Sequence, residues 1–444
     1  MASNPGSGGG FDWLSNGLFG RGKANDGQIE NSTDVPALYS GIVTDFRELT
    51  VSGGKEGHGE GDGAGGEASE NATVSASSQG PGASNLGDRL SRIKYLLYNE
   101  RTSPAQRGQP APAVAAAVCE GLTKDHLSLL PSFLGKMQSL PFEARKDVAA
   151  IFNYLLVCGC PEDDGESDMA WQRYYPVMME FVRFLRDVSV FTNVATPIIM
   201  GHDCTAGPNG VPAAKNSPDV ALHCGSMLRS MLRHPSLFKL VVSEEYACEL
   251  FFPFLDSYVH QPNFEVASDA LETVRVIFTG GDGALTGSNT APVAEGDETM
   301  EEMASAFLQR NYDSVIEERF NQKMLSGSAS YVTKRASVQL LSTILLTRSN
   351  YAVMMKYISS RSNLRIIMCL LRDPSPHITF LAFQVFKIFV ANPEKPQDIV
   401  RILVDNKTKL IRYLDGLHRE REECDEQFRD EKSLVIATLE GLEL

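Results

Sequence analysis

The chain has 444 residues, of which 43% are apolar and 22% are charged, so it can form several domains or one extended array. Its formal net charge of −15 argues against nucleic-acid binding, which needs clustered Lys and Arg, and against attraction to an anionic membrane. The eight cysteines follow no disulfide or zinc spacing, which favours reduced thiols and a cytoplasmic protein. Four of them lie in apolar helical runs and are expected to pack as small apolar residues: Cys119, Cys224, Cys248 and Cys369.

The N-terminal part of the chain has little to bury. Residues 1–33 and roughly 50–86 are rich in Gly, Ser and acidic residues, and they are predicted to be a disordered tail and a disordered linker. Residues 34–49 predict an N-terminal helix, because Asp34 can cap it, Pro36 suits its first turn, and apolar residues recur at helical spacing.

From residue 87 to residue 444 the pattern predicts helix after helix, without the alternation typical of strands. The later helices are expected to begin near Asp219, Glu265, Thr299, Tyr331, His377 and Gln427. Three loops rich in Gly, Pro and Asp are predicted to be solvated excursions from this array: 159–168, 201–218 and 280–298.

The more apolar helices each carry a small residue in the middle of an apolar run, which lets a neighbouring helix approach closely. Five stretches have this pattern: 146–152, 221–228, 266–271, 334–341 and 380–386. With the long loops subtracted, they recur about every 40–50 residues, the period of armadillo and HEAT-type units. The sequence therefore predicts an all-α, armadillo/HEAT-like helical solenoid, with an irregular helical bundle as the alternative.

No motif predicts catalysis, a cofactor or a metal. Residues 17–24 approach a phosphate-binding loop, but they end in Ala24 where a Ser or Thr hydroxyl must hold magnesium. The acidic loops lack the ligand schedule of an EF-hand, and the histidines form no zinc motif. His223 and Cys224 are adjacent on a helix, so their side chains diverge and do not form a nucleophile–base pair. We expect a binding protein rather than an enzyme.

The helix expected from Tyr331 carries polar and aromatic groups that its own fold does not require. Tyr331, Arg335 and Gln339 are spaced at i, i+4 and i+8 and form one stripe, which Arg348 and Tyr351 follow at the next turn. The opposite side is expected to be buried and consists of Val338, Leu341, Ile344 and Leu345. Tyr and Arg are enriched in interface hot spots, so the stripe predicts a protein-binding surface, with an ordinary solvated face as the alternative.

Met368 is a second candidate for partner binding. Methionine adapts to varied partners and is common in peptide-binding grooves. Met368 lies within the apolar run 364–371, however, so a core methionine is the alternative interpretation.

Several stretches, in order along the chain, carry a resemblance to a known family. They are 142–149, 224–229, 264–270, 330–335, 356–359, 370–373, 383–393 and 425–432. On these residues the chain resembles the calcium-binding protein 39 family, the mouse protein 25 scaffolds, from about Asp34 to near the C-terminus. The resemblance implies an armadillo-like right-handed solenoid without catalytic activity.

The resemblance also implies partners and contact residues. Family members bind a protein kinase or pseudokinase of the sterile-twenty class on their concave face and hold it in the active, closed conformation. Tyr331, Arg335 and Tyr351 would face the kinase domain, and Arg348 occupies a further contact position. Met368 would help line a C-terminal pocket that takes a Trp-Glu-Phe tail of the partner.

Two of the corresponding positions depart from the family pattern. Gln339 and Asp405 each stand where the family is expected to carry Lys, and the lost charge bears on electrostatic steering and on partner choice. One alternative is therefore an armadillo-type adaptor for a non-kinase partner in polarity, cytokinesis or trafficking. Another is an enzyme with an unrecognised site. We expect the protein to be a monomer on its own, without nucleic acid or membrane among its partners.

Overall fold

The computed structural model describes residues 35–52, 81–98, 111–158, 174–204, 216–281 and 298–443. Within these ranges every regular element is a helix, as predicted. The expected disordered tail, most of the expected linker and most of the three expected loops lie outside the described residues.

The α-helices range from a single turn to 20 residues. They are, in chain order, α1 (Val35–Ser52), α2 (Pro81–Tyr98), α3 (Ala111–Glu120), α4 (Leu129–Gly135), α5 (Phe142–Val157), α6 (Tyr175–Arg186), α7 (Val188–Met200), α8 (Pro218–Leu232), α9 (Pro235–Val241), α10 (Ala247–Leu250), α11 (Phe252–Asp256), α12 (Phe264–Thr279), α13 (Met300–Arg310), α14 (Tyr331–Leu346), α15 (Tyr351–Ile358), α16 (Arg361–Leu370), α17 (Pro376–Ala391), α18 (Gln397–Gly416), α19 (Arg419–Cys424) and α20 (Glu426–Glu440). Short π and 3-10 segments connect some of them: Gly121–Asp125, Met137–Ser139, Tyr258–His260, Asp313–Met324 and Arg348–Asn350.

The helix starts agree closely with the sequence predictions. α8, α12, α13, α14, α17 and α20 each begin within one residue of the expected position. The N-terminal helix is longer than expected and ends at Ser52, and α2 already begins at Pro81, inside the segment predicted to be linker. Proline suits the first turn of a helix, where its missing N–H has no intrahelical partner to lose.

Seven helices form a continuous series, called here the central row, in which each helix contacts the next. They are α2, α5, α8, α12, α14, α17 and α20. Neighbours in the row run parallel where polar contacts join them. In the first turns of α5 and α8, Arg145 pairs with Asp219 at 2.7 Å, and further along the same helices Asn153 donates to Ser226 at 2.8 Å. The fold is an armadillo/HEAT-like helical solenoid, as the repeat pattern predicted.

The small residues of the repeated pattern lie where the central helices meet. Ala149, Ala270, Ser337 and Ala382 are each less than 5% exposed. Gly225 makes the closest approach, because a Cβ atom there would lie 1.7 Å from the Asp269 carboxylate on α12. The prediction that small residues permit close helix packing is confirmed at this contact.

The cysteine prediction is half wrong. Cys119 and Cys224 are buried, whereas Cys248 and Cys369 are exposed. Cys369 lies one helical turn after the exposed Arg365, on the solvent side of α16, so an apolar run in sequence did not imply burial on every side. None of the described helices has the length and apolar character needed to cross a bilayer.

Candidate functional site

The start of α14 is fixed by hydroxyl groups. The Ser330 side chain caps the helix by accepting a hydrogen bond from the Thr333 N–H at 3.1 Å. Thr333 is 1% exposed, and its hydroxyl donates to the Val259 carbonyl at 3.0 Å, in the segment that leads to α12. Because these bonds hold both ends of the first turn, Tyr331 projects from a fixed position.

The exposed stripe predicted on α14 has the expected orientation. Tyr331 is 49% exposed, and Arg335 and Gln339 are exposed on the following turns. The opposite side is at most 1% exposed and comprises Val338, Leu341, Ile344 and Leu345. The helix therefore presents its aromatic and cationic groups to solvent while its apolar side packs into the core.

Adjacent cations on α14 have different environments. Lys334 pairs with Asp373 at 3.3 Å, and both side chains are no more than 15% exposed, so this charge holds α14 to the turn after α16. Arg335 is exposed, and within the described residues it has no carboxylate partner. Its guanidinium group is therefore available to a carboxylate of another molecule.

Arg348 and Tyr351 lie beside a surface recess at the junction of α14 and α15. The recess is lined by Leu345, Leu346, Thr347, Arg348, Tyr351 and Met354. Tyr351 is 64% exposed and Leu346 is 61% exposed, so the recess has an apolar rim next to a cation. Aromatic and aliphatic groups around a guanidinium are the composition typical of a protein interface.

Met368 and Asp405 lie on the neighbouring helices α16 and α18, which contact each other. Met368 is half-buried and packs against the core, while Asp405 is exposed. The Tyr413 hydroxyl of α18 donates to the Leu371 carbonyl just after α16, which fixes the two helices together. Met368 is thus partly a core residue and partly accessible to a partner, so its environment lies between the core and partner-binding interpretations of the sequence.

Three exposed apolar side chains at the ends of central-row helices were missed by sequence reasoning. Phe142 is 55% exposed and Phe264 is 56% exposed, and each is the first residue of a central-row helix, as Tyr331 is. Leu346 closes α14. The available signal was an aromatic residue placed directly after a helix cap and before the first buried position.

The adjacent His223 and Cys224 do not form a reactive pair. Burial raises the pKa of the Cys224 thiol, which makes the thiolate scarce at neutral pH, and burial lowers the pKa of His223. Among the described residues no group of His, Cys, Asp or Glu is arranged to hold a metal ion.

Comparison with known proteins identifies the family. The family model described as Mo25-like matches residues 69–284 and 298–443, which include the whole central row and every candidate site residue. The chain belongs to the Mo25-like family. The resemblance seen in the sequence is thereby confirmed.

Relatives from distant organisms are similar over most of the Mo25-like chain. A calcium-binding protein 39-like protein of Homo sapiens is 34% identical over 337 residues, which cover 76% of this chain and 82% of the relative. A putative MO25-like protein of Arabidopsis thaliana is 40% identical over 362 residues, which cover 81% of this chain and 85% of the relative. A Mo25-like protein of Schizosaccharomyces pombe is 33% identical over 353 residues, which cover 79% of this chain and 88% of the relative.

Proposed function

We propose that this Mo25-like protein is a non-catalytic scaffold that binds a protein kinase or pseudokinase of the sterile-twenty class through the exposed face of its central row. The observation that carries the proposal is the pairing pattern on α14, where Lys334 is paired inside the fold and Arg335 is exposed beside Tyr331. An exposed aromatic next to an unpaired guanidinium contributes nothing evident to folding, and these residue types dominate interface hot spots.

Electrostatics supports a partner with an acidic surface. The whole chain carries a net charge of −15, yet Arg335 and Arg348 lie near each other along the chain without a carboxylate partner in the described residues. A local positive region on an acidic protein favours encounter with a complementary acidic region and disfavours other orientations. Gln339 makes the positive charge of this region smaller than expected, because it is neutral where the family is expected to carry Lys.

Activation would follow from differential binding. A scaffold without a reactive site changes a kinase only if it binds the active conformer more tightly than the inactive one. Moving an equilibrium from 1:99 to 99:1 requires a preference of about 5.5 kcal/mol. A closely packed helical row suits this task, because its contact groups are held in place before binding.

The half-buried Met368 supports a second contact with an extended tail of the partner, of the Trp-Glu-Phe type. A thioether adapts to an aromatic side chain, and the rest of Met368 already packs against the core. The exposed Asp405 on α18 works against an acidic tail, and this observation keeps an adaptor for a non-kinase partner as the second candidate function. We further propose that the protein is a cytoplasmic monomer until its partner binds.

The test is a kinase assay with a sterile-twenty-class kinase from the same cells, with and without the purified protein. The wild type should stimulate activity, and Arg335→Ala should raise the concentration needed for half-stimulation at least tenfold, as expected for a hot-spot arginine. Arg186→Ala, at an exposed end of α6, is the matched control and should behave as the wild type. Circular dichroism should be unchanged in both variants.

Stimulation that Arg335→Ala leaves intact would remove α14 from the binding site. Failure of the wild type to stimulate any such kinase would favour the adaptor, and capture experiments with the wild type and Arg335→Ala would then identify the partner whose binding depends on α14.

A further inference from the structure

The contact between α5 and α8 contains one arginine that makes four hydrogen bonds within the fold. Arg145 donates to the Asp219 carboxylate at 2.7 Å and to the Ser217 hydroxyl at 3.0 Å. Its remaining donors reach the carbonyls of Leu140 and Gln138 at 2.8 and 3.0 Å. Arg145 therefore has a structural role and is not available to a ligand.

Two neighbouring groups are not used in this way. His223, one turn after Asp219 on α8, is only 9% exposed, yet its Nε2 atom has no hydrogen-bond partner. Lys146, adjacent to Arg145 on α5, is half-buried and has no carboxylate partner within the described chain. A buried polar atom without a partner, such as His223 Nε2, costs on the order of 1–3 kcal/mol and is rare unless a ligand completes it.

Lys146 and His223 lie on the two helices of this contact, between the Arg145–Asp219 pair and the Asn153–Ser226 hydrogen bond that join α5 to α8. Burial lowers the pKa of His223, the Asp219 carboxylate opposes that effect, and the cations Arg145 and Lys146 lower the pKa further. A neutral imidazole next to a lysine ammonium can donate from Nε2 to an anion that the ammonium attracts. Asn153, two turns after Lys146, also has a buried oxygen atom, Oδ1, without a partner.

An exposed aromatic completes the cluster and repeats the pattern of α14. Phe142 is 55% exposed and precedes Lys146 by four residues, so both lie on one stripe of α5. Tyr331 and Arg335 have the same spacing on α14. The helices α8 and α12 lie between α5 and α14 in the central row, and packed helices are 8–10 Å apart. The two aromatic–cation pairs are therefore separated by roughly 25–30 Å, about the diameter of a small domain.

We propose that Phe142, Lys146 and His223, called here the α5–α8 cluster, form a second docking site for the same partner, and that they bind an acidic side chain flanked by an apolar one. The proposal rests on the proposed function, because it assigns the second contact of that partner. A carboxylate fits better than a phosphate: Lys146 is the single unpaired cation, and Glu143 is exposed beside it, so a dianion would meet too little positive charge.

The test measures the dissociation constant of the kinase domain for full-length variants at low and physiological salt. Lys146→Glu should weaken binding at least tenfold and reduce its salt dependence. Lys239→Glu makes the same charge change at an exposed lysine of α9, outside the central row, and should change the dissociation constant less than threefold. Phe142→Ala should weaken binding about fivefold, whereas Leu127→Ala, at an equally exposed apolar residue, should not.

The outcomes separate this proposal from the proposed function. If wild-type protein binds and Arg335→Ala does not, while Lys146→Glu and Phe142→Ala bind as their controls do, the α5–α8 cluster is not a docking site and the scaffold function stands. If no kinase domain binds the wild type, both proposals fail together. Circular dichroism and the midpoint of urea unfolding should be equal in all four variants, which excludes a folding defect of Lys146→Glu as the cause.

Discussion

Arg145, in the first turn of α5, and Arg335, in the second turn of α14, lie near the starts of two central-row helices, but their environments are opposite. The side chain of Arg145 is 15% exposed, and its guanidinium is bonded to a carboxylate, a hydroxyl and two carbonyls. That of Arg335 is exposed and has no carboxylate partner in the described chain. The same residue type therefore joins helices in one region and is free for a partner in the other.

The difference extends beyond two residues. Contacts between the N-terminal central helices depend on largely buried charges, as in Lys94 with the fully buried Asp147 and Arg229 with Asp269. The start of α14 is held mainly by hydroxyl groups, and although Lys334 is paired with Asp373, Arg335 has no carboxylate partner within the described chain. Breaking a buried ion pair is costly, while exposed charges contribute little to stability. Substitutions in the first region should thus lower stability, and those on the α14 stripe should lower binding alone.

The largest effect is expected at Asp269. Its carboxylate lies 2.5 Å from Arg229 Nη2 and 3.7 Å from His202 Nε2, against the space that Gly225 leaves open. Burial opposes ionisation of Asp269, but the Arg229 guanidinium prevails and holds its pKa below the ordinary value. Asp269→Ala should lower the free energy of unfolding by about 4 kcal/mol, because a largely buried arginine loses its counterion. Urea unfolding measures this.

The matched control is Asp415→Ala, which breaks an exposed pair with Arg419 at 3.0 Å. Asp415→Ala should lower the free energy of unfolding by less than about 1 kcal/mol. Equal losses in the two variants would contradict the distinction between the buried contacts and the exposed surface.

A second prediction concerns pH. His234 is 2% exposed and follows α8, and its Nε2–H donates to the Leu156 carbonyl of α5 at 2.7 Å. Burial, the main cause, lowers the pKa of His234 to about 4. Between the ordinary value of about 6.5 and pH 4, the unfolded chain binds a proton that the folded chain does not, so stability falls as the pH falls through this window. The loss should reach roughly 3 kcal/mol.

His234→Gln keeps an amide donor and removes the titrating group. Unfolding free energies measured from pH 7.5 to pH 4 should decline less steeply in this variant than in the wild type. Parallel curves would show that His234 is not the group that makes the α5–α8 contact sensitive to acid.

The helices were predictable because their signals are local. Apolar spacing predicted a helix beginning near Tyr331 with Val338, Leu341, Ile344 and Leu345 on its buried side, as observed. The small residues also indicated close packing of the central helices, which Gly225 confirms. Each of these predictions depends on residues within a few turns of one another.

Features that depend on distant residues were not predictable in this way. Asp373 lies 39 residues after Lys334. Nothing in the sequence indicates that Asp373 pairs with Lys334 and not with the adjacent Arg335. An aromatic residue directly after a helix cap marks Phe142 and Phe264 as candidates, but their exposure depends on the packing of the row. The exposed Cys369 was misassigned for the same reason, because periodicity gives the direction of a side chain but not what lies opposite.

The smallest expected changes in stability distinguish best between a folding role and a binding role, because they compare Lys334 and Arg335, which are adjacent on one helix. Lys334→Ala should lower the free energy of unfolding by about 2 kcal/mol, because Asp373 is only 11% exposed and loses its cation. Arg335→Ala should change it by less than about 0.5 kcal/mol, as expected of an exposed side chain without a partner. Partner binding should show the reverse order, with the greater loss for Arg335→Ala. If both variants instead lost stability and binding in proportion, the α14 stripe would be part of the folding framework, and its partner-binding role would have to be abandoned.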